Sequence, residues 1–207
     1  MSSLVLALAW GCWAQEPNEG VRQAMSDGRW EEALKALVPV LTADWKTEAN
    51  WRLAVQLLGK ARAAGPLDLG RAFRNALLPA AGANVGKRLQ VLWVLVRSGQ
   101  PEAALGDYED LLKADRMNAP AYVGRAAAYL ELYELEKAEG SADLAIKVNG
   151  KYVPGYLMKA RAALDRRNPE DATALLDTVL RQARDVPDAH GLKAQALLLT
   201  STQPPLL

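Results

Sequence analysis

His190 is the single histidine of this 207-residue chain and Cys12 its single cysteine. A histidine beside a hydroxyl or thiol can serve as a general base, and a cysteine so activated as a nucleophile. Neither has the companion its chemistry needs, because no Ser or Cys recurs in phase with His190 and one cysteine allows neither an internal disulfide nor a cysteine-rich metal site. One histidine also excludes a histidine-built metal centre, so no metal and no other cofactor is expected. Asp107, Glu109, Asp110, Glu131 and Glu134 offer the paired carboxylates of a hydrolase. Most of them fall at spacings that place them on polar helix faces, where they solvate a surface. A phosphate cradle needs a Gly-rich loop after a strand; GANVG, Gly82 to Gly86, has no strand before it and reads as a turn.

The elements that carry these residues follow from composition. Ala and Leu dominate while Ile and Thr are sparse, and unbranched side chains lose little rotamer freedom in a helix, so the fold expected is all-α. The formal net charge is +1. With signs alternating along the helices and no basic face, nucleic acid is not an expected partner.

The first fourteen residues, MSSLVLALAWGCWA, carry no charge and hold an apolar run from Leu4 to Trp10. This layout resembles a secretory signal without its usual basic start, with Cys12-Trp13-Ala14 as a small-x-small cleavage site and Gln15 as the new N-terminus. Gly11-Cys12 offers a second version, a lipoprotein signal lipidated at Cys12, and a short apolar helix packed on the fold is a third. Export is the expectation, to the periplasm or the outer membrane, with membrane attachment only through a lipidated Cys12. Without a working signal the chain is cytoplasmic. The run is too short to span a bilayer as a permanent anchor.

An internal period organises the rest. Tyr122, Tyr156 and His190 are 34 residues apart, as are Ala126, Ala160 and Ala194, and Gly70, Ala104, Ala138 and Ala172. One step is 37, from Ala33 to Gly70 and again from Val55 to Leu92, so three extra residues lie between Val55 and Gly70 and lengthen a helix by nearly one turn. A column of small residues marks where two helices cross closely. His190 shares its column with two tyrosines, which points to packing rather than catalysis.

A 34-residue period of helix, turn and helix resembles the tetratricopeptide repeat. Residues 119 to 152 carry the resemblance with Tyr122, Ala126, Tyr129, Ala138 and Ala145; residues 85 to 118 with Leu92, Leu95, Gly99, Ala104, Tyr108 and Leu111; residues 153 to 186 with Tyr156, Ala160, Ala172, Leu176 and Val179. Residues 48 to 84 carry Trp51, Leu58, Gly65, Gly70 and Leu77, and a first unit, about 15 to 47, Ala24, Gly28, Ala33, Leu37 and Val40. Arg88 stands where the family has an aromatic, Arg74 where it has a large apolar residue, and Pro39 should bend or end its helix early. Residues 187 to 200 read as a capping helix and 201 to 207 as a disordered tail. The resemblance implies a right-handed superhelical solenoid of helix-turn-helix units.

It also implies a concave groove lined by the first helix of each unit. The groove positions read Arg52, Gln56 and Lys60; Leu89, Trp93, Val96 and Arg97; Val123, Ala127, Leu130 and Glu131; Leu157, Arg161, Leu164 and Asp165. That is a basic entrance beside an apolar middle. Trp93 is either an anchor for a partner or a packing residue, since Trp favours both roles. The Lys, Asn and Arg set with which some of the family grip a C-terminal carboxylate is not present. An apolar or helical peptide segment fits better, with Arg52, Lys60, Arg97 and Arg161 at the rim to orient its carboxylates. The resulting expectation is a non-enzymatic scaffold or assembly factor in the bacterial cell envelope, with a protein or peptide partner and no small-molecule substrate. Two rivals are a helical-repeat enzyme using groove carboxylates and a scaffold whose groove binds a second copy; the oligomeric state is not fixed by the sequence.

Overall fold

The computed structural model describes residues 18–65 and 68–202. The leader, with the cleavage expected after Ala14 and the lipidation expected at Cys12, lies outside the described residues, as do residues 203–207 of the tail.

Among the described residues there are eleven helices and no strand. They form two compact units divided after Ser98. The first holds α1 (Glu19–Ser26), α2 (Trp30–Ala43), α3 (Glu48–Ala64), α4 (Leu69–Ala81) and α5 (Val85–Arg97). In it α1 packs on α2, α2 on α3 and α4, and α5 on α3 and α4. The second holds α6 (Glu102–Ala114), α7 (Ala119–Glu131), α8 (Leu135–Val148), α9 (Val153–Asp165), α10 (Pro169–Gln182) and α11 (Pro187–Thr202). There each helix packs on the next, and α9 also meets α7 and α11.

Local chemistry explains where the helices begin. The side chains of Asp68, Asn84, Asn118 and Asn168 accept from the backbone N–H of Arg71, Lys87, Ala121 and Asp171, satisfying donors that a helix start leaves orphaned. Proline occupies the first turn of α7, α9 and α10, where its missing N–H costs nothing. The turn inside a repeat passes through left-handed backbone at Gly99, Tyr133 and Arg167, one period apart, with φ of 79°, 58° and 61°.

The small columns are buried at helix crossings: Ala33, Ala104, Ala126, Ala160 and Ala172 are all at 0 % exposure. The three extra residues fall in α3, which has 17 residues against 13 in α5, α7 and α9. One expectation fails. Pro39 does not end its helix early, because α2 continues through it to Ala43. Pro39 and Lys35 both lie on the exposed side, so the carbonyl that loses its donor faces water, and the Thr42 hydroxyl donates to the carbonyl of Pro39 one turn on.

A recurring bond closes the loops between repeats. Trp51 Nε1 donates to the carbonyl of Trp45 at 3.0 Å, and Tyr156 Oη to that of Gly150 at 3.0 Å. His190 Nε2 meets the carbonyl of Arg184 at 3.0 Å, which fixes that nitrogen as the donor. Arg88 Nη1 reaches the carbonyl of Gly82 at 3.5 Å. Each reaches back six residues from the same repeat position. Arg88 therefore departs from the family in residue type but preserves the contact, and the only histidine is occupied in the same way as Tyr156.

Candidate binding surface

In the first unit, α3 and α5 lie side by side and leave a cavity of about 410 Å³ between their N-terminal halves. Lys46, Glu48 and Trp51 form one wall; Gly86, Leu89, Gln90 and Trp93 form the other. The second set falls at i, i+3, i+4 and i+7, a single face of α5. Gly86 keeps that face low at its start, and Trp93, 49 % exposed, stands at its end.

Cations and indoles dominate the surroundings. Trp45 and Trp51 have ring centroids 5.4 Å apart, tilted by 38°. Lys87 Nζ sits 4.7 Å from the Trp45 ring centroid, and the Arg97 guanidinium 5.7 Å from that of Trp93. These are cation–π distances and hold each charge over an aromatic face. Gln90 Nε2 donates to the carbonyl of Trp45 at 3.2 Å, tying the start of α5 to the loop before α3. Arg52 pairs with Glu48 at 2.7 Å, in the open.

The groove residues read from the sequence divide under this geometry. Leu89 and Trp93 line the cavity, and Arg97 stacks on Trp93 beside it. Arg52, Gln56 and Lys60 are exposed on α3 but do not line it. Trp93 is not a core residue.

In the second unit, Val123 is half-buried and Arg161 exposed. Leu130 is a correction: at 4 % exposure it packs with Ala138 and Ala162 in a core cluster and cannot meet a partner. Its position on α7 turns it toward α8, the helix that closes the same repeat. Arg161 Nη2 lies 3.7 Å from Glu131 Oε1. Burial pushes the Asp165 carboxyl above its ordinary value, with Arg161 opposing and Glu131 adding to the effect. The trio is a charge-compensated cluster linking α7 and α9.

Sequence reasoning missed Lys46, Glu48, Trp51, Gly86 and Gln90. Trp51 had been read only as a packing aromatic; it is 5 % exposed and yet forms part of the cavity wall. The helical stripe Gly86–Leu89–Gln90–Trp93 was the signal that would have found the others on α5.

The family model described as Tetratricopeptide repeat matches residues 92–154 and 157–202. The chain belongs to the tetratricopeptide repeat family. Its repeats are of the kind that serves as a protein-interaction module. Among curated proteins it is 30% identical over 112 residues to the small glutamine-rich tetratricopeptide repeat-containing protein 2 of Saccharomyces cerevisiae, covering 50% of this chain and 32% of that one. The chain thus spans about a third of that relative's length. A tetratricopeptide repeat protein from Parabacteroides merdae shares the fold at a TM-score of 0.53 with 19% identity, over 90% of this chain and 73% of the other. The first such domain of Spaghetti (RPAP3), bound to the HSP90 peptide SRMEEVD, aligns at a TM-score of 0.51 with 22% identity, over 56% of this chain and 98% of the other.

Proposed function

We propose that this protein is a non-enzymatic binding scaffold that captures an apolar or helical peptide segment of a partner on the α3–α5 surface. The observation that carries the reading is the cavity walled by Trp51, Leu89 and Trp93, with Trp93 half exposed at its edge. A large aromatic beside a concave apolar wall supplies contact area at low entropic cost, which is how a few residues come to dominate a binding energy. Lys46, Lys87 and Arg97 around it favour a segment that carries acidic residues next to its apolar anchor.

A relative of the same fold holds the HSP90 peptide SRMEEVD, which supports peptide capture as a use of this architecture. The apolar side chains of Leu89 and Trp93 favour a segment gripped by its side chains over one gripped by a terminal carboxylate. The charge-free leader MSSLVLALAWGCWA supports export to the bacterial cell envelope as the setting. Mass measurement of the mature protein reads cleavage after Ala14, lipidation at Cys12, or neither, and an intact leader on protein recovered from the cytoplasm removes the envelope from the reading.

The test of the site uses peptides selected by display against the full chain, with affinity measured by fluorescence anisotropy. Trp93→Ala is expected to weaken binding about 30-fold, as for a hot-spot residue, while circular dichroism and melting stay unchanged. Peptides that bind wild type and Trp93→Ala equally would place the site elsewhere.

A further inference from the structure

The last helix of a repeat array ordinarily turns a polar face outward, since nothing follows to cover it. α11 does not. Its inner side packs on the preceding helices through Ala189, Leu192, Ala196 and Leu199, but on its outer side Ala194 is exposed and Leu197 is 56 % exposed, with Leu198 at 67 %. From Ala194 to Ser201 the helix carries no ionisable side chain, and the centre of a protein interface is depleted in charge in the same way.

The repeat itself shows what kind of element fits there. Ala194 is equivalent to Ala126 and Ala160, both at 0 % exposure. Leu198 is equivalent to Leu130 and Leu164, at 4 % and 3 %. On α7 this seat is filled from α8, with Leu130 against Ala138; on α9 it is filled from α10, with Ala160 and Leu164 clustered with Ala172 and Leu176. Both times the occupant is an α-helix that brings a small residue to the crossing. On α11 the same seat is turned outward.

We infer that α11 is a self-association surface, on which a second copy of this chain docks its own α11 antiparallel to the first. The size gradient along the helix selects this occupant. Gly191 and Ala194 are small and lie toward one end, while Leu197 and Leu198 are large and lie toward the other. A twofold axis across the helix places the leucines of each copy over the glycine and alanine of its mate, so one patch complements itself, as an isologous interface requires. A single 16-residue helix buries less than the roughly 800 Å² per partner of a standard interface, so the dimer is weak and concentration-dependent. This surface is separate from the α3–α5 cavity and does not depend on the peptide-binding reading.

Sedimentation equilibrium of the full chain tests it, from about 5 to about 500 μM, the range in which an interface of this size dissociates. The weight-average mass is expected to rise from one chain toward two. Leu197→Glu, on an exposed position, is expected to raise the dissociation constant at least about tenfold with an unchanged circular dichroism spectrum. Ala194→Leu separates a close helix seat from general stickiness: it adds exposed apolar surface yet is expected to weaken association, because the added side chain holds the two helices apart. Trp93→Ala is expected to associate like wild type. A wild-type monomer throughout the range, tighter association of Ala194→Leu, or loss of association in Trp93→Ala alone would each overturn the inference.

Discussion

The ring of Tyr108 fills the space beside the α-carbon of Gly124: a Cβ built on Gly124 would lie 2.4 Å from Tyr108 Cε1 and 2.6 Å from its hydroxyl oxygen. The tyrosine is 1 % exposed, and burial pushes its hydroxyl pKa well above the ordinary value. An interhelical crossing between α6 and α7 is thus set by one large and one absent side chain.

Gly124→Ala is therefore expected to destabilise by about 1–3 kcal/mol, the usual cost of overpacking a fitted core, even though alanine favours the helix. Urea denaturation measures it as a lower midpoint at constant slope. Combined with Tyr108→Leu, the loss should be smaller than the sum of the single losses, since the shorter side chain vacates the contested volume. Strict additivity would mean that the two residues do not share that volume.

Tyr133 holds φ at 58° with its side chain 77 % exposed, at the position where the preceding repeat has Gly99. Left-handed backbone costs a non-glycine residue about 1–2 kcal/mol, against an entropic cost of about 0.5–1 kcal/mol for glycine itself. Tyr133→Gly is expected to raise stability by about 0.5–1 kcal/mol on that balance. Thermal melting would reveal it, and a lower melting temperature would show that the exposed ring makes a stabilising contact that outweighs the strain.

The Asp165 carboxyl is raised by burial, with Arg161 opposing and Glu131 adding. The folded protein therefore holds this proton more tightly than the unfolded chain does, and the group subtracts stability as pH rises from the ordinary carboxylate value through the raised one. Asp165→Asn is expected to be the more stable protein at about pH 7 and to converge with wild type near about pH 3, where both states are protonated. Were Asp165→Asn the less stable at neutral pH, attraction to Arg161 would exceed the burial cost.

Much of this architecture was legible from spacing alone. The Ala126/Ala160/Ala194 column and the 37-residue step fixed the helical register, and the longer α3 followed from the three extra residues. What spacing does not reveal is which way a residue leans at a crossing. Leu130 and Trp93 both fall on groove positions of the repeat, yet Leu130 is buried by α8 and Trp93 stands half in solvent. Pro39 was misjudged because the damage proline does depends on whether the carbonyl it orphans faces water. Arg88 broke the aromatic pattern, and only coordinates show that its guanidinium reaches the same carbonyl position as its aromatic counterparts. The outward leucines of α11 looked like any capping stripe until the filled seats on α7 and α9 gave a comparison.

The six-residue back-reach from Trp51, Arg88, Tyr156 and His190 has a bearing on how such a chain lengthens. Donor and acceptor both belong to one short loop and the helix that follows it, so a duplication or deletion of a whole period carries each bond along intact. Recombination in steps of one repeat leaves no acceptor stranded, whereas a break inside the six-residue reach would cost the junction its latch. The number of repeats is therefore free to drift during descent, while the chemistry of each junction is inherited as a unit.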